Sequence, residues 1–296
     1  NAAGLDKNGD ALYPLSKLFG YLKPGTVVVS ARPGNTGLRV AVDEKAENIF
    51  NAQGFPSKGL EYFIENLQDY YHKNGRKPLI PSVCGLPESA ENLRRAYEEL
   101  ETLLTRINPY ADGFEWNPFS PNTAALVALR TPAEFKRSAQ LIKSIIGKKP
   151  AYVKMGVYKT EEQKKEWLAL AKAFYDGGGD GLTAVNTDKV PKEQIPVKEW
   201  GYEYAGKSGT HLQPFRNKAI KDARTEFPEK FIFATGGINS AEESWKALQF
   251  ADALDGYTPY TFKGFGLIIE MAQGIREKLK ETGYKTLKDF LRIRKF

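Results

Sequence analysis

An alternation constrains this chain more than any other feature: short apolar runs, each followed by a long amphipathic stretch. The runs occupy residues 26–29, 79–83, 113–117, 151–155, 181–186, 231–234 and 253–257. They are rich in β-branched and aromatic residues and apolar on both faces, as suits parallel strands covered by helices. The stretches between them carry explicit helix signals. Thr131-Pro132-Ala133-Glu134 reads as N-cap, N1 proline and capping box, with Gly147 as the stop. Thr160-Glu161-Glu162-Gln163 opens a second helix that ends at Gly177-Gly178-Gly179, and Ser240-Ala241-Glu242-Glu243 opens a third.

Strand-helix alternation of this kind implies βα units and a parallel sheet. Residues 2–4 look like the end of an eighth strand, so the first strand is expected to be only partly present. Eight βα units in 296 residues predict an α/β fold, a (β/α)8 TIM barrel forming a single domain over residues 1–296. A doubly wound sheet is the rival, but no dinucleotide fingerprint follows an early strand. Stretches 30–59 and 188–213 carry no strand or helix pattern and predict long irregular loops, which in compact domains serve as lids or binding loops.

Composition narrows the function classes. A hydrophobic share of 41% and a charged share of 27% fit a soluble globular protein, and no apolar run is long enough to span a bilayer. One cysteine, Cys84, excludes an internal disulfide, and His72 and His211 do not stand in metal-ligand spacing, so no metal site is expected. Net charge is +7, yet the lysines are scattered, and the densest cluster is Arg292, Arg294 and Lys295. No nucleic-acid-binding motif accompanies the charge, which suits attraction of a small acidic substrate equally well. The opening Asn1-Ala2-Ala3-Gly4 has no initiator methionine, so an upstream segment is expected either to have been removed or to lie outside the given sequence.

In a barrel, polar residues at strand C-termini share one rim. Those positions carry Lys7, Ser30, Ser82, Asn117, Lys154, Asn186, Gly236-Gly237 and Tyr257-Thr258. Amides and cations dominate and carboxylates are scarce, which suits a planar, acceptor-bearing ligand with a phosphate better than a hydrolytic acid–base pair. In Asn117-Pro118-Phe119-Ser120-Pro121-Asn122-Thr123 a serine hydroxyl sits between two amide side chains, on a turn stiffened by Pro121. Lys154 ends an apolar strand and, pointing inward, would need an anionic partner. Thr235-Gly236-Gly237-Ile238-Asn239-Ser240 joins a strand to a capped helix, where glycine backbone can approach a phosphate. Asn51-Ala52-Gln53-Gly54-Phe55-Pro56 adds an amide and an aromatic.

Together these motifs resemble the dihydroorotate dehydrogenase family, flavin-dependent TIM barrels of pyrimidine biosynthesis. The resemblance covers essentially the whole chain. Ala2-Ala3-Gly4-Leu5-Asp6-Lys7-Asn8-Gly9 looks like the family's opening flavin loop, and Gly25-Thr26 like its second flavin contact. Gly34-Asn35 with Arg39 is similar to the following segment, and Asn51 with Gly54-Phe55 to the substrate loop. Asn117 and Ser120-Pro121-Asn122-Thr123 resemble the active-site segment. Lys154, Asn186-Thr187, Ser208-Gly209, Gly236-Gly237 and Tyr257-Thr258 follow in the family's order.

The resemblance implies an oxidoreductase, a flavoprotein that oxidises dihydroorotate to orotate. Substrate would be held by Lys7, Asn51, Gly54, Phe55, Asn117, Asn122, Asn186 and Thr187. Ser120 would take a proton from C5 while a hydride passes from C6 to flavin N5. Thr123 would relay that proton onward, and Lys154 would stabilise the reduced flavin. FMN would be held by Ala3, Gly4, Lys7, Thr26, Ser82, Lys154, Ser208, Gly209, Gly236, Gly237, Tyr257 and Thr258.

Class features are mixed. Ser120 resembles the quinone-linked, membrane-associated class, since soluble members use cysteine there. Gly54-Phe55-Pro56, Ile80-Pro81-Ser82 and the tail Gly283-Tyr284-Lys285-Thr286-Leu287-Lys288-Asp289-Phe290 look more like the soluble class, which implies a homodimer. The electron acceptor is accordingly a quinone or a fumarate-like compound. Localisation is cytoplasmic, or membrane-associated if an N-terminal extension supplies an anchor. Two alternatives stay open: an FMN oxidoreductase acting on another dihydropyrimidine or enone-like substrate, and a non-catalytic ligand-binding barrel.

Overall fold

The computed structural model describes residues 1–120 and 122–294. Pro121 of the serine turn and Lys295 of the terminal basic cluster lie outside them. In chain order the strands are β1 (Gly25–Val27), β2 (Val40–Asp43), β3 (Asn48–Asn51), β4 (Ser82–Val83), β5 (Phe114–Trp116), β6 (Ala151–Lys154), β7 (Gly181–Thr183), β8 (Asp188–Pro191), β9 (Tyr204–Gly209), β10 (Phe231–Thr235) and β11 (Ala253–Asp255). Each of the seven apolar runs overlaps one strand of a parallel sheet ordered β1-β4-β5-β6-β7-β10-β11. Register pairs Gly25 with Ser82, Ser82 with Glu115, Glu115 with Tyr152, Tyr152 with Gly181 and Gly181 with Phe231.

Residues 2–4 join the two edges of that sheet. Ala2 N–H donates to Gly256 O at 2.9 Å, just past β11, and Gly4 N–H donates to Gly25 O at 2.7 Å in β1. The stub thus stands between the first and last strands, where an eighth barrel strand belongs. The architecture is a (β/α)8 TIM barrel.

The helices begin where the capping chemistry puts them. Thr160 Oγ1 accepts from Gln163 N–H, and Gln163 Oε1 accepts from the Thr160 N–H in turn, fixing the helix Glu161–Asp176. Ser240 caps Ala241–Leu248 through Glu243 N–H at 3.1 Å. Thr131 caps Pro132–Ile146, which stops at Gly147 with φ 66°. There the return half of a capping box is replaced: the Glu134 carboxylate accepts from the Tyr97 hydroxyl, which ties this helix to its predecessor. The helices bury their apolar stripes on the strands; Trp116 lies between Phe135 at 5.0 Å and Phe174 at 6.4 Å, ring centroid to centroid.

The expectation of long irregular loops over 30–59 and 188–213 is corrected. Both stretches fold into one antiparallel sheet ordered β2-β3-β9-β8, over a small core of Ala41, Phe50, Val190, Trp200 and Ala205. Each strand is short, and β3 pairs with β9 across more than 150 residues of chain, with Phe50 opposite Lys207. Local patterning does not reveal a sheet assembled from such distant pieces.

Candidate active site

The strand C-termini and the small antiparallel sheet enclose a cleft of about 1030 Å³, its open mouth included. Its polar side is two linked pairs of amides. Asn117, just past β5, donates from Nδ2 to Thr26 Oγ1 at 2.8 Å and accepts on Oδ1 from Asn186 Nδ2 at 3.1 Å. Asn186 also reaches Phe119 O at 3.2 Å, and its own Oδ1 accepts from Thr187 N–H. Across the cleft Asn122 Nδ2 donates to Asn51 Oδ1 at 3.0 Å, and Asn51 Nδ2 is held by Gly206 O in β9. Four amides from four segments therefore face one volume with fixed polarity.

Ser120 lies among them, half-buried, with Oγ accepting from Asn122 N–H at 3.4 Å. Its turn is pinned from behind by Arg130, which donates to Pro118 O at 3.0 Å and Ser120 O at 3.1 Å while covering the Phe119 ring. Sequence reading missed Arg130. It stands beyond the motif, and nothing local signals that it folds back. Burial pulls its guanidinium down to about 10.

The cationic wall is Lys7 and Lys154. Among the described residues neither ammonium has a hydrogen-bond or ion-pair partner. Burial first, and the charge of Lys154 second, lower Lys7 to about 8. Burial likewise lowers Lys154, against the pull of Glu115 and Asp255. Two cations left unpaired in a cleft call for an anionic or electron-rich ligand.

At the far end Gly236 and Gly237 take φ 104° and 66°, and a Cβ on Gly237 would stand 2.5 Å from Gln213 Cγ and 2.9 Å from Gly209 O. Among the described residues the N–H groups of Gly236, Gly237, Tyr257 and Thr258 donate to no backbone carbonyl. Ser208 and Thr258 share a hydroxyl contact at 2.9 Å beside them. This is a cradle of free donors suited to a phosphate.

The cleft gathers nearly all of the residues expected from sequence. Ala3, Gly4, Lys7, Thr26, Asn51, Gly54, Phe55, Asn117, Ser120 and Asn122 line it from the first half of the chain. Lys154, Asn186, Thr187, Ser208, Gly209, Gly236, Gly237, Tyr257 and Thr258 line it from the second. Ser30, expected on the same rim, lines a separate pocket with Arg32 and Arg95, and two more lie outside the wall. Ser82 is fully buried behind it, with Oγ 3.1 Å from Thr26 Oγ1, and Thr123 leads into the short helix Ala124–Leu129. Ile49, Val185, Leu212 and Ile238 add apolar walls that sequence reading did not single out, although each sits within a few residues of a motif. Among the described residues no helix is long and apolar enough to cross a membrane, and no group of three or more His, Cys, Asp or Glu could hold a metal ion.

The chain as a whole has counterparts among known proteins. A dihydroorotate dehydrogenase (quinone) of Sulfurovum sp. strain NBC37-1 is 30% identical over 285 residues, covering 95% of this chain and 77% of that relative. One from Paracidovorax citrulli strain AAC00-1 is 28% identical over 295 residues, covering 93% and 81%. The fold matches the crystal structure of a ligand-free DHODH from Eimeria tenella with a TM-score of 0.85 at 23% identity, over 100% of this chain and 88% of that one. The family model described as dihydroorotate dehydrogenase matches residues 1–279, and the chain belongs to that family of oxidoreductases.

Proposed function

We propose that the protein oxidises dihydroorotate to orotate in pyrimidine biosynthesis, using FMN. The observation that carries this reading is the convergence of four oriented amides, Ser120 and two unpaired lysines on one cleft. Dihydroorotate is planar in its polar edge, rich in carbonyl and N–H groups, and anionic. The linked pairs Asn117–Asn186 and Asn51–Asn122 offer donors and acceptors to such an edge, and Lys7 offers charge to its carboxylate. Gly54 and Phe55 close the same side of the cleft, and Thr187 continues the wall from Asn186.

The residues also fit FMN. Lys154 and Lys7 would face the electron-rich ring, with Ala3, Gly4 and Thr26 along its edge. Ser208, Gly209, Gly236, Gly237, Tyr257 and Thr258 would hold its phosphate, and Ser82 supports Thr26 from behind. When bound, FMN supplies a two-electron acceptor for the hydride leaving C6.

In the protein's own share of the reaction, Ser120 Oγ takes the proton from C5. A serine hydroxyl is a weak base, so the work lies in placing it and in moving the proton on. As Oγ takes the C5 proton it gives up its own hydroxyl proton to Thr123, three residues on and the proposed next carrier, and Asn122 N–H, which donates to Oγ, favours the oxygen as that proton leaves. The apolar walls Ile49, Val185 and Leu212 keep bulk water from competing for that proton.

The proposed acceptor is a quinone, supported by the names of the relatives; a fumarate-like compound is the alternative. Two measurements test the reading. A panel of dihydroorotate and uncharged dihydrouracil should show turnover with the carboxylate-bearing compound, and preference for the uncharged one would shift the substrate assignment. Ser120→Ala should retain FMN while its reduction by substrate slows by about 10²–10⁴. An unchanged rate would remove Ser120 from the role of base.

A further inference from the structure

Beneath the cleft the barrel interior is ionic where a barrel core is ordinarily filled by apolar side chains. Lys23, just ahead of β1, is fully buried. Its ammonium holds Glu115 Oε2 at 2.9 Å, Asp255 Oδ2 at 2.8 Å and Thr183 Oγ1 at 3.0 Å, and lies 3.4 Å from the centroid of the Phe233 ring. The Thr183 hydroxyl donates to Glu115, while those of Thr235 and Tyr21 donate to Asp255 at 3.0 and 2.7 Å. Glu115 Oε1 is left buried without a hydrogen-bond partner. Stability alone is a poor reason for such an array, because apolar residues of the same volume usually serve as well or better.

The array also does not balance its own charge. Two carboxylates face one ammonium. The compensating group is Lys154, 6% exposed at the end of β6, opposite Thr183 in the β6–β7 register, lining the cleft together with Asp255, and without a hydrogen-bond or ion-pair partner among the described residues. The charged groups acting on it are Glu115 from β5, Asp255 from β11, Lys23 ahead of β1 and Lys7 in the N-terminal loop. Burial works against its charged form, the two carboxylates work for it, and Lys23 works against it. Burial also opposes the charge on Glu115, but Lys23, Lys154 and the Thr183 hydroxyl overcome that and hold its carboxyl below the usual range.

We infer that Glu115 is a positioning residue: with Asp255 it supplies the surplus negative charge that keeps the Lys154 ammonium protonated at the floor of the cleft, and Lys23 sets the size of that surplus. The functional consequence rests on the reading of Lys154 as a flavin contact; the electrostatic arrangement does not.

Competitive amine labelling across pH, read at Lys154 by mass spectrometry on the full chain, tests the arrangement directly. Glu115→Gln should move the Lys154 midpoint down by roughly 1–3 pH units, the scale of losing a nearby opposite charge. Lys23→Met should move it up. A merely structural role would loosen packing in both variants and carry both midpoints toward ordinary lysine. Shifts of the same sign, or no shift in Glu115→Gln, overturn the inference. If Lys23→Met does not fold, Asp255→Asn takes its place: a downward shift supports the inference and an upward or absent one overturns it. FMN affinity of Lys154→Met, by fluorescence titration, separately tests the flavin contact. A loss of about tenfold or more is expected, the scale of one charged hydrogen bond. Unchanged affinity overturns the functional half and leaves the labelling result to stand.

Discussion

Asn117 is oriented by Thr26: its Nδ2 donates to the Thr26 hydroxyl at 2.8 Å, which leaves Oδ1 to accept from Asn186. A residue on β1 thereby fixes which way two amides, following β5 and β7, present themselves to the cleft. Ser82 Oγ, on the far side of Thr26, completes a line of polar groups running from buried core to ligand.

Thr26→Val keeps the shape of that side chain and removes its hydroxyl. Asn117 loses its fixed orientation, and orotate affinity should fall by about 1–1.5 kcal/mol, on the order of tenfold. Calorimetric titration of orotate into the FMN-loaded variant measures this. Affinity equal to wild type would mean that Asn117 is oriented by other groups.

Arg130 binds the backbone of the serine turn at both Pro118 O and Ser120 O. Arg130→Ala should cost about 1.5–3 kcal/mol of stability, the scale of hydrogen bonds to a charged donor. It should also lower kcat at least tenfold while FMN affinity changes little, because the glycine cradle lies elsewhere. Denaturant unfolding and steady-state kinetics on one preparation separate the two effects.

Lys7 gives a pH dependence whose sign is fixed. Its ammonium is lowered from 10.5 to about 8 in the folded chain, by burial first and by Lys154 second. Between those two values the unfolded chain binds more protons than the folded one, so stability of the flavin-free protein rises with pH across the window. Lys7→Gln should flatten that rise in thermal midpoints, leaving the share from Lys154. Orotate affinity, which uses the charged form, should fall as pH climbs through about 8 in the flavin-free wild type and much less in the variant.

Gly237 sits at φ 66°, with Gly209 O only 2.9 Å from where a Cβ would stand. Gly237→Ala should strain the backbone by about 1–3 kcal/mol and displace the donors beside it. FMN affinity is expected to drop by at least tenfold in a fluorescence titration, with the barrel's circular dichroism unchanged.

The barrel was legible because its signals are local. Each strand is a short apolar run, and Thr160, Ser240 and Thr131 announce their helices within four residues. The cleft was legible for a related reason: βα loops place strand-end residues on one rim, so Asn117, Lys154 and Asn186 meet even though they are far apart in sequence. What stayed hidden depends on distant pairing. The alternation of exposed Val40 and Val42 with buried Ala41 spans only four residues, too few to announce a strand whose sheet also contains β8 and β9. Lys23 reads as a charged residue before a proline, and only the closed barrel brings it to Glu115 and Asp255. Ser82 stood at a strand end and was expected in the cleft, but its side chain turns toward Thr26 in the interior.

The central claim is that the amides, Ser120 and the lysines together bring dihydroorotate to a bound flavin. The most direct measurement is an anaerobic visible spectrum of the FMN-loaded protein before and after addition of dihydroorotate. Bleaching of the oxidised flavin bands is the predicted result. A spectrum that stays oxidised, in a sample shown to bind both FMN and dihydroorotate, would contradict the account.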